Sequence, residues 1–201
     1  MYWDLWYWYG EDTSSSNESN VSNILLMIIL AVICTLSIII TVISPKGVDG
    51  ASQIFGYELR IVETNSMEAC EATDVSEYEI GSLKKNTMII ITLVPEREDE
   101  AMDWYSNIKV GDVLTVRYTY DRQVTITHRV TAINLKPDNS GYIIELQGDN
   151  VNSDASQLTQ VIDTSLTESR NYVIGKVIKK SYPIGTVISA FQRVTKALVS
   201  E

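Results

Sequence analysis

Residues 123–133 read QVTITHRVTAI. Val124, Ile126, His128 and Val130 alternate onto one face, and Thr125, Thr127, Arg129 and Thr131 onto the other, which is the period of a β-strand. Working outward, the same β-branched or alternating character recurs in ELRIVE (58–63), TMIIITLV (87–94), DVLTVRY (112–118), GYIIELQ (141–147) and YVIGKVIK (172–179). Turn signals separate them at Pro95, Gly111, residues 135–141 and the Gly-Asp-Asn of 148–150. Strands without long intervening helices predict a mainly β protein, an antiparallel sandwich or open barrel over residues 44–182. EREDEAMDWYSN (96–107) reads as a loop or short helix on the surface. Residues 183–201 carry Ile184, Val187, Ile188, Phe191, Val194 and Leu198 at helical spacing behind Pro183. That short amphipathic segment suits a membrane interface or the face of a sheet equally well.

Upstream of the strands lies ILLMIILAVICTLSIIITVI (24–43), 20 residues without charge, Gly or Pro. At 1.5 Å per residue a helix of that length spans about 30 Å, the thickness of a bilayer's hydrocarbon core. One N-terminal transmembrane helix anchoring the β-domain is therefore expected. A cleaved signal peptide would carry a shorter apolar stretch behind positive charge, whereas residues 1–23 hold Asp4, Glu11, Asp12 and Glu18 and no Lys or Arg. That tail begins YWDLWYWY, with three of the four Trp, and reads as an interfacial aromatic anchor. Lys46 and Arg60 follow the helix, and the positive-inside rule taken alone would put that side in the cytoplasm.

Composition removes several function classes. A net charge of -10 argues against nucleic acid, because phosphate binding needs a basic surface. Two Cys build neither a disulfide scaffold nor a structural zinc site. A single His excludes every multi-histidine metal site, so no metal and no cofactor is expected. Any imidazole chemistry must be that of His128.

His128 sits in an apolar strand face, where burial lowers an imidazole pKa and keeps it neutral, the state a general base needs. A hydrogen-bonded core histidine is the plain alternative. Ser66, in VETNSMEAC (62–70), follows a strand. Asn65 with Glu68 three residues later can form a capping box, which would put Ser66 in the first turn of a helix, near N–H groups able to stabilise an oxyanion. Serine needs a base, either His128 or a lysine. Lys84 and Lys85 are the lysine candidates, but their surroundings are polar and would not lower a lysine pKa. Cys70 is a second, poorer nucleophile candidate. Asp149 follows a strand in a turn that it can simply close, and Asp154 lies five residues later in a polar loop. Either carboxylate can orient an imidazole.

In order and context these pieces resemble type I signal peptidase, of the SipW-like or endoplasmic-reticulum kind. The resemblance rests on the apolar run 24–43, then Ser66-Met67-Glu68, IGSL (80–83), VGDVLTVRY (110–118) and Thr127 to Val130. Gly148-Asp149-Asn150 with Asp154, Val173 to Lys176, and Pro183-Ile184-Gly185 complete it. It implies a membrane-anchored serine endopeptidase that removes signal peptides from secretory preproteins. Its partners would be those preproteins and the lipid bilayer, with complex subunits left open. Ser66 would be the nucleophile, His128 the general base and Asp154 the orienting acid. Asp149 would be a supporting carboxylate and Thr64 an oxyanion-hole hydroxyl. The catalytic domain would lie outside the cytoplasm, against the charge-based orientation. This chain departs from the family at Asn65, where Gly is usual, and at Ala69, where Pro is usual. A catalytically inactive anchored β-domain acting as a binding or complex subunit is the alternative.

Overall fold

A computed structural model describes residues 13–43, 53–118, 124–152, 159–167 and 171–199. Two compact units divide the chain, Met1–Ser44 and Pro45–Glu201. The first contains helix α1, Thr13–Ile43, which encloses the apolar run read from the sequence. From Ile24 to Leu36 its large apolar side chains are 46–70% exposed. Among the described residues no helix is long and apolar enough to cross a membrane. Side chains 37–43 of the expected span, and residues 1–12 with the aromatic tract, lie outside the described residues.

The second unit is built on an eight-stranded antiparallel sheet. Its strands are β1 (Gln53–Ile54), β2 (Tyr57–Ile61), β3 (Met88–Leu93), β4 (Val113–Arg117), β5 (Thr125–Leu135), β6 (Tyr142–Gln147), β7 (Gln160–Asp163) and β8 (Val173–Ser181). Their spatial order is β1-β2-β3-β8-β4-β5-β6-β7. Every stretch read as strand forms one, within a few residues at each end. β1 and β7 are additional, at two and four residues too short to leave a periodic signal. Two apolar clusters hold the sheet. One gathers Leu114, Val116, Val130, Ile144, Leu146 and Ile162, and the other Val62, Met67, Leu83, Ile89, Ile91, Val113 and Val177. β4 feeds both, because Val113 and Leu114 point to opposite faces.

The acidic stretch resolves as helix α2, Glu98–Ser106. Glu98, Asp99 and Glu100 occupy its first turn, where negative charge favours the helix dipole. Tyr105 is buried in the first cluster, so α2 is pinned to the sheet rather than merely resting on the surface.

Helix α3, Tyr182–Val199, ends the unit. The helix packs against the entry of β3, one of the two roles open from the sequence, but not through most of its apolar residues: Ile184, Val187, Phe191 and Val194 are 51–70% exposed. Gly185 and Ser189 are buried instead. A Cβ at Gly185 would stand 2.1 Å from the Asn86 carbonyl oxygen and 2.3 Å from the Met88 nitrogen, so only glycine lets the helix backbone come this close. Gly185→Ala gains about 1 kcal/mol of helix propensity. A clash with fixed backbone costs typically about 1–3 kcal/mol and outweighs it. Gly185→Ala is therefore expected to lower the urea midpoint and to speed amide exchange in α3 first.

Candidate active site

Ser66 lies five residues past the end of β2. Val62 still pairs with the next strand's entry, its N–H donating to Thr87 O at 2.9 Å, and then the chain turns. The Glu68 N–H donates to the Asn65 carbonyl at 3.0 Å, closing a turn over Ser66. No helix follows, which corrects the capping-box expectation. The groups a helix would use are taken by the IGSL stretch: Leu83 N–H donates to Met67 O at 2.8 Å, and Ala69 N–H to Ser82 Oγ at 3.0 Å. Burying Met67 in the core competes with helix formation and wins, since a full side-chain burial stabilises by roughly 1.5–3 kcal/mol. Ser66 is 5% exposed, and its Oγ lies 3.0 Å from Thr64 Oγ1.

His128 sits on β5 opposite Leu114 of β4, on the apolar face read from the sequence. It is 1% exposed, and its Nδ1 is buried with no hydrogen-bond partner among the described residues. Desolvation pushes its pKa down to about 4, so the ring is neutral near pH 7. Between pH 6.5 and about 4 the unfolded chain binds this proton and the folded chain does not. Stability therefore falls as pH drops through that window, by up to about 3 kcal/mol. His128→Gln should flatten this part of a plot of urea midpoint against pH.

Asp149 and Arg129 are both buried and form a fork-to-fork pair, Nε–Oδ1 at 2.8 Å and Nη2–Oδ2 at 2.6 Å. Arg129 Nη1 donates to the carbonyls of Ile80 at 2.9 Å and Gly111 at 2.7 Å, and the Tyr78 ring lies 4.7 Å from its Cζ. Gly111, at φ +95°, has no side chain where that ring packs. Asp149 thus supports the residue next to His128 rather than His128 itself. Asn150 reaches the nucleophile's turn, its N–H donating to Ser66 O at 2.9 Å and its Nδ2 to Asn65 O at 3.1 Å. Lys180 donates to the Ser82 carbonyl at 2.8 Å, and burial, with the charge of Arg129, lowers its pKa.

The Gly-Asp-Asn turn therefore joins two separated stretches, 65–66 through Asn150 and 128–129 through Asp149. Among the described residues no hydrogen bond links Ser66 with His128. Asp154 lies outside the described residues. Lys84 and Lys85 are exposed, and both cysteines are free, Cys70 being half-buried beside Thr73. Sequence reasoning missed Arg129, Asn150 and Ser82. The signal for Arg129 was a lone cation in a strand whose sheet neighbour is followed by an aspartate turn; Asn150 and Ser82 bind the main chain of other stretches and leave no such sign.

A protein named signal peptidase I W, from Bacillus subtilis (strain 168), is 32% identical over 120 residues. Over that stretch the chain is similar to a signal peptidase I. No family model matches it. The shared region is 59% of this chain and spans half of the relative's length. The chain carries the Ser-Met, Thr-His-Arg and Gly-Asp-Asn stretches on one sheet and its connecting turns, with Ser66 and His128 both withdrawn from bulk water.

Proposed function

We propose that this chain is a membrane-anchored serine endopeptidase that cleaves signal peptides from secretory preproteins. Ser66 Oγ attacks the scissile carbonyl carbon while His128 takes its proton. The carbon–nitrogen bond then breaks, His128 returns the proton to the leaving amine, and water hydrolyses the acyl ester by the same route. Asp154 accepts a hydrogen bond from the imidazole, for which the orphaned Nδ1 is the available atom. Asp149 acts through Arg129. The Ser66 N–H, which none of the hydrogen bonds found among the described residues uses, serves as an oxyanion donor with the Thr64 hydroxyl beside it. The uncharged run 24–43 anchors the enzyme, with the β-domain outside the cytoplasm.

The observation that carries this reading is the double reach of the Gly-Asp-Asn turn, to the Ser66 carbonyl and to the neighbour of His128, in a chain similar to a signal peptidase I. A second reading, an inactive anchored binding subunit, draws on the Ser66 hydroxyl being engaged with Thr64 and not with His128. Full-length chain reconstituted in liposomes and given a preprotein separates them. Release of the mature protein, lost in Asp154→Ala, is expected; a folded wild type that leaves every preprotein intact would establish the second reading.

A further inference from the structure

A cleft of about 570 Å³ opens beside β2, away from Ser66, with Gln53, Glu58, Arg60, Glu96 and Arg117 in its lining. Its size is that of a ligand site. The two guanidinium groups there are not equivalent. Arg60 is paired with the buried carboxylate of Glu58 through its Nε, Gln53 Nε2 donates to the same carboxylate at 3.2 Å, and Arg60 Nη1 donates to Thr125 Oγ1 at 3.0 Å. Thr125 is the cross-strand partner of Arg117, which places the second guanidinium group on the same face of the sheet. The Arg117 side chain has no hydrogen bond or ion pair among the described residues, and its Nε is buried without a partner. Glu96 stands at the exposed rim. Among the described residues Glu58 compensates Arg60, while the half-buried Arg117 contacts no counter-charge; a partly desolvated cation gains from an acidic partner.

β2 connects this cleft to the candidate nucleophile. Among the described residues β1 pairs with Tyr57 and Glu58, and beyond them none of these residues pairs with β2 on its β1 side as it leads toward Ser66. An extended peptide added to that edge gains main-chain hydrogen bonds and presents alternate side chains to the cleft. We propose that Arg117, with the Arg60–Thr125 pair beside it, is a specificity-determining subsite for an acidic side chain of the peptide substrate. The subsite rests on the peptidase reading for its substrate, and a test by binding separates the two.

The test uses full-length Ser66→Ala protein in detergent micelles and fluorescent peptides in which a single Glu or its isostere Gln is moved through six positions on each side of the cleavage site. Anisotropy is expected to show Glu bound about tenfold more tightly than Gln at one or two positions, the size of one charge-assisted contact. The preference should shrink at about 0.5 M salt, disappear in Arg117→Gln and survive in part in Arg117→Lys. Equal binding of Glu and Gln at every position, or a preference untouched by Arg117→Gln, overturns the subsite. Wild-type protein given the same peptides reads the other question. Cleavage without acid preference leaves the peptidase reading standing and removes the subsite; acid-dependent binding without cleavage does the reverse.

Discussion

Ser66→Ala and His128→Ala are each expected to lower preprotein cleavage by on the order of 10⁴-fold or more while leaving the sheet folded. The double variant should be scarcely worse than either single one, because the two groups act in one proton transfer and their effects do not add. The substitutions should differ in stability. Ser66→Ala removes a hydroxyl whose partner Thr64 is itself near the surface turn, and should be close to neutral. His128→Ala empties a site beside Leu114 in the sheet interior, and should cost roughly 2–4 kcal/mol by analogy with other large-to-small changes. His128→Gln, which keeps most of the volume, separates lost chemistry from lost packing. Cleavage by His128→Gln at the wild-type rate, with the protein shown folded by circular dichroism, would remove the imidazole from the mechanism.

The second large effect is expected at the Arg129–Asp149 pair. Both partners are buried, so Arg129→Met leaves an aspartate without its counter-charge and deprives the Ile80 and Gly111 carbonyls of their donor. Breaking a buried pair from one side costs about 3–5 kcal/mol. For a unit of this size that is roughly 10 °C in Tm. Asp149→Asn should be severe for the mirror reason. Arg129→Met combined with Asp149→Leu should recover much of the loss, since an apolar pair of similar volume removes both desolvation costs. Cleavage should not recover with it, because Asp149 would no longer fix the turn from which Asn150 holds the Ser66 carbonyl. Recovery of both together would make the pair a matter of stability alone.

Much of this was legible in the sequence, for reasons that differ from element to element. β5 declared itself because Val124, Ile126, His128 and Val130 alternate onto one apolar face, a period of two that holds up to the bulge after Val130. The two readings of Ser66 split on a tertiary contact: Asn65 and Glu68 do have capping-box spacing, but Met67 and Ala69 find partners at Leu83 and Ser82, and no local pattern announces a partner that far along the chain. α3 was legible as a helix and illegible as a packing unit. Its apolar residues suggested the buried face, whereas the close approach is made by Gly185, a residue with no side chain to register in a periodicity. Arg129 was assigned to the polar face of β5 and is buried there, because Asp149 lies on the turn after β6, the strand beside it, and a buried charge is tolerated only with such a partner.

The sheet's two margins, β1 and β7, are its shortest strands. A margin of two or four residues offers a neighbouring molecule too few free main-chain groups for stable docking. Such trimming limits side-by-side stacking along β1 and β7 themselves, and it leaves strand addition to the stretch of β2 beyond Glu58.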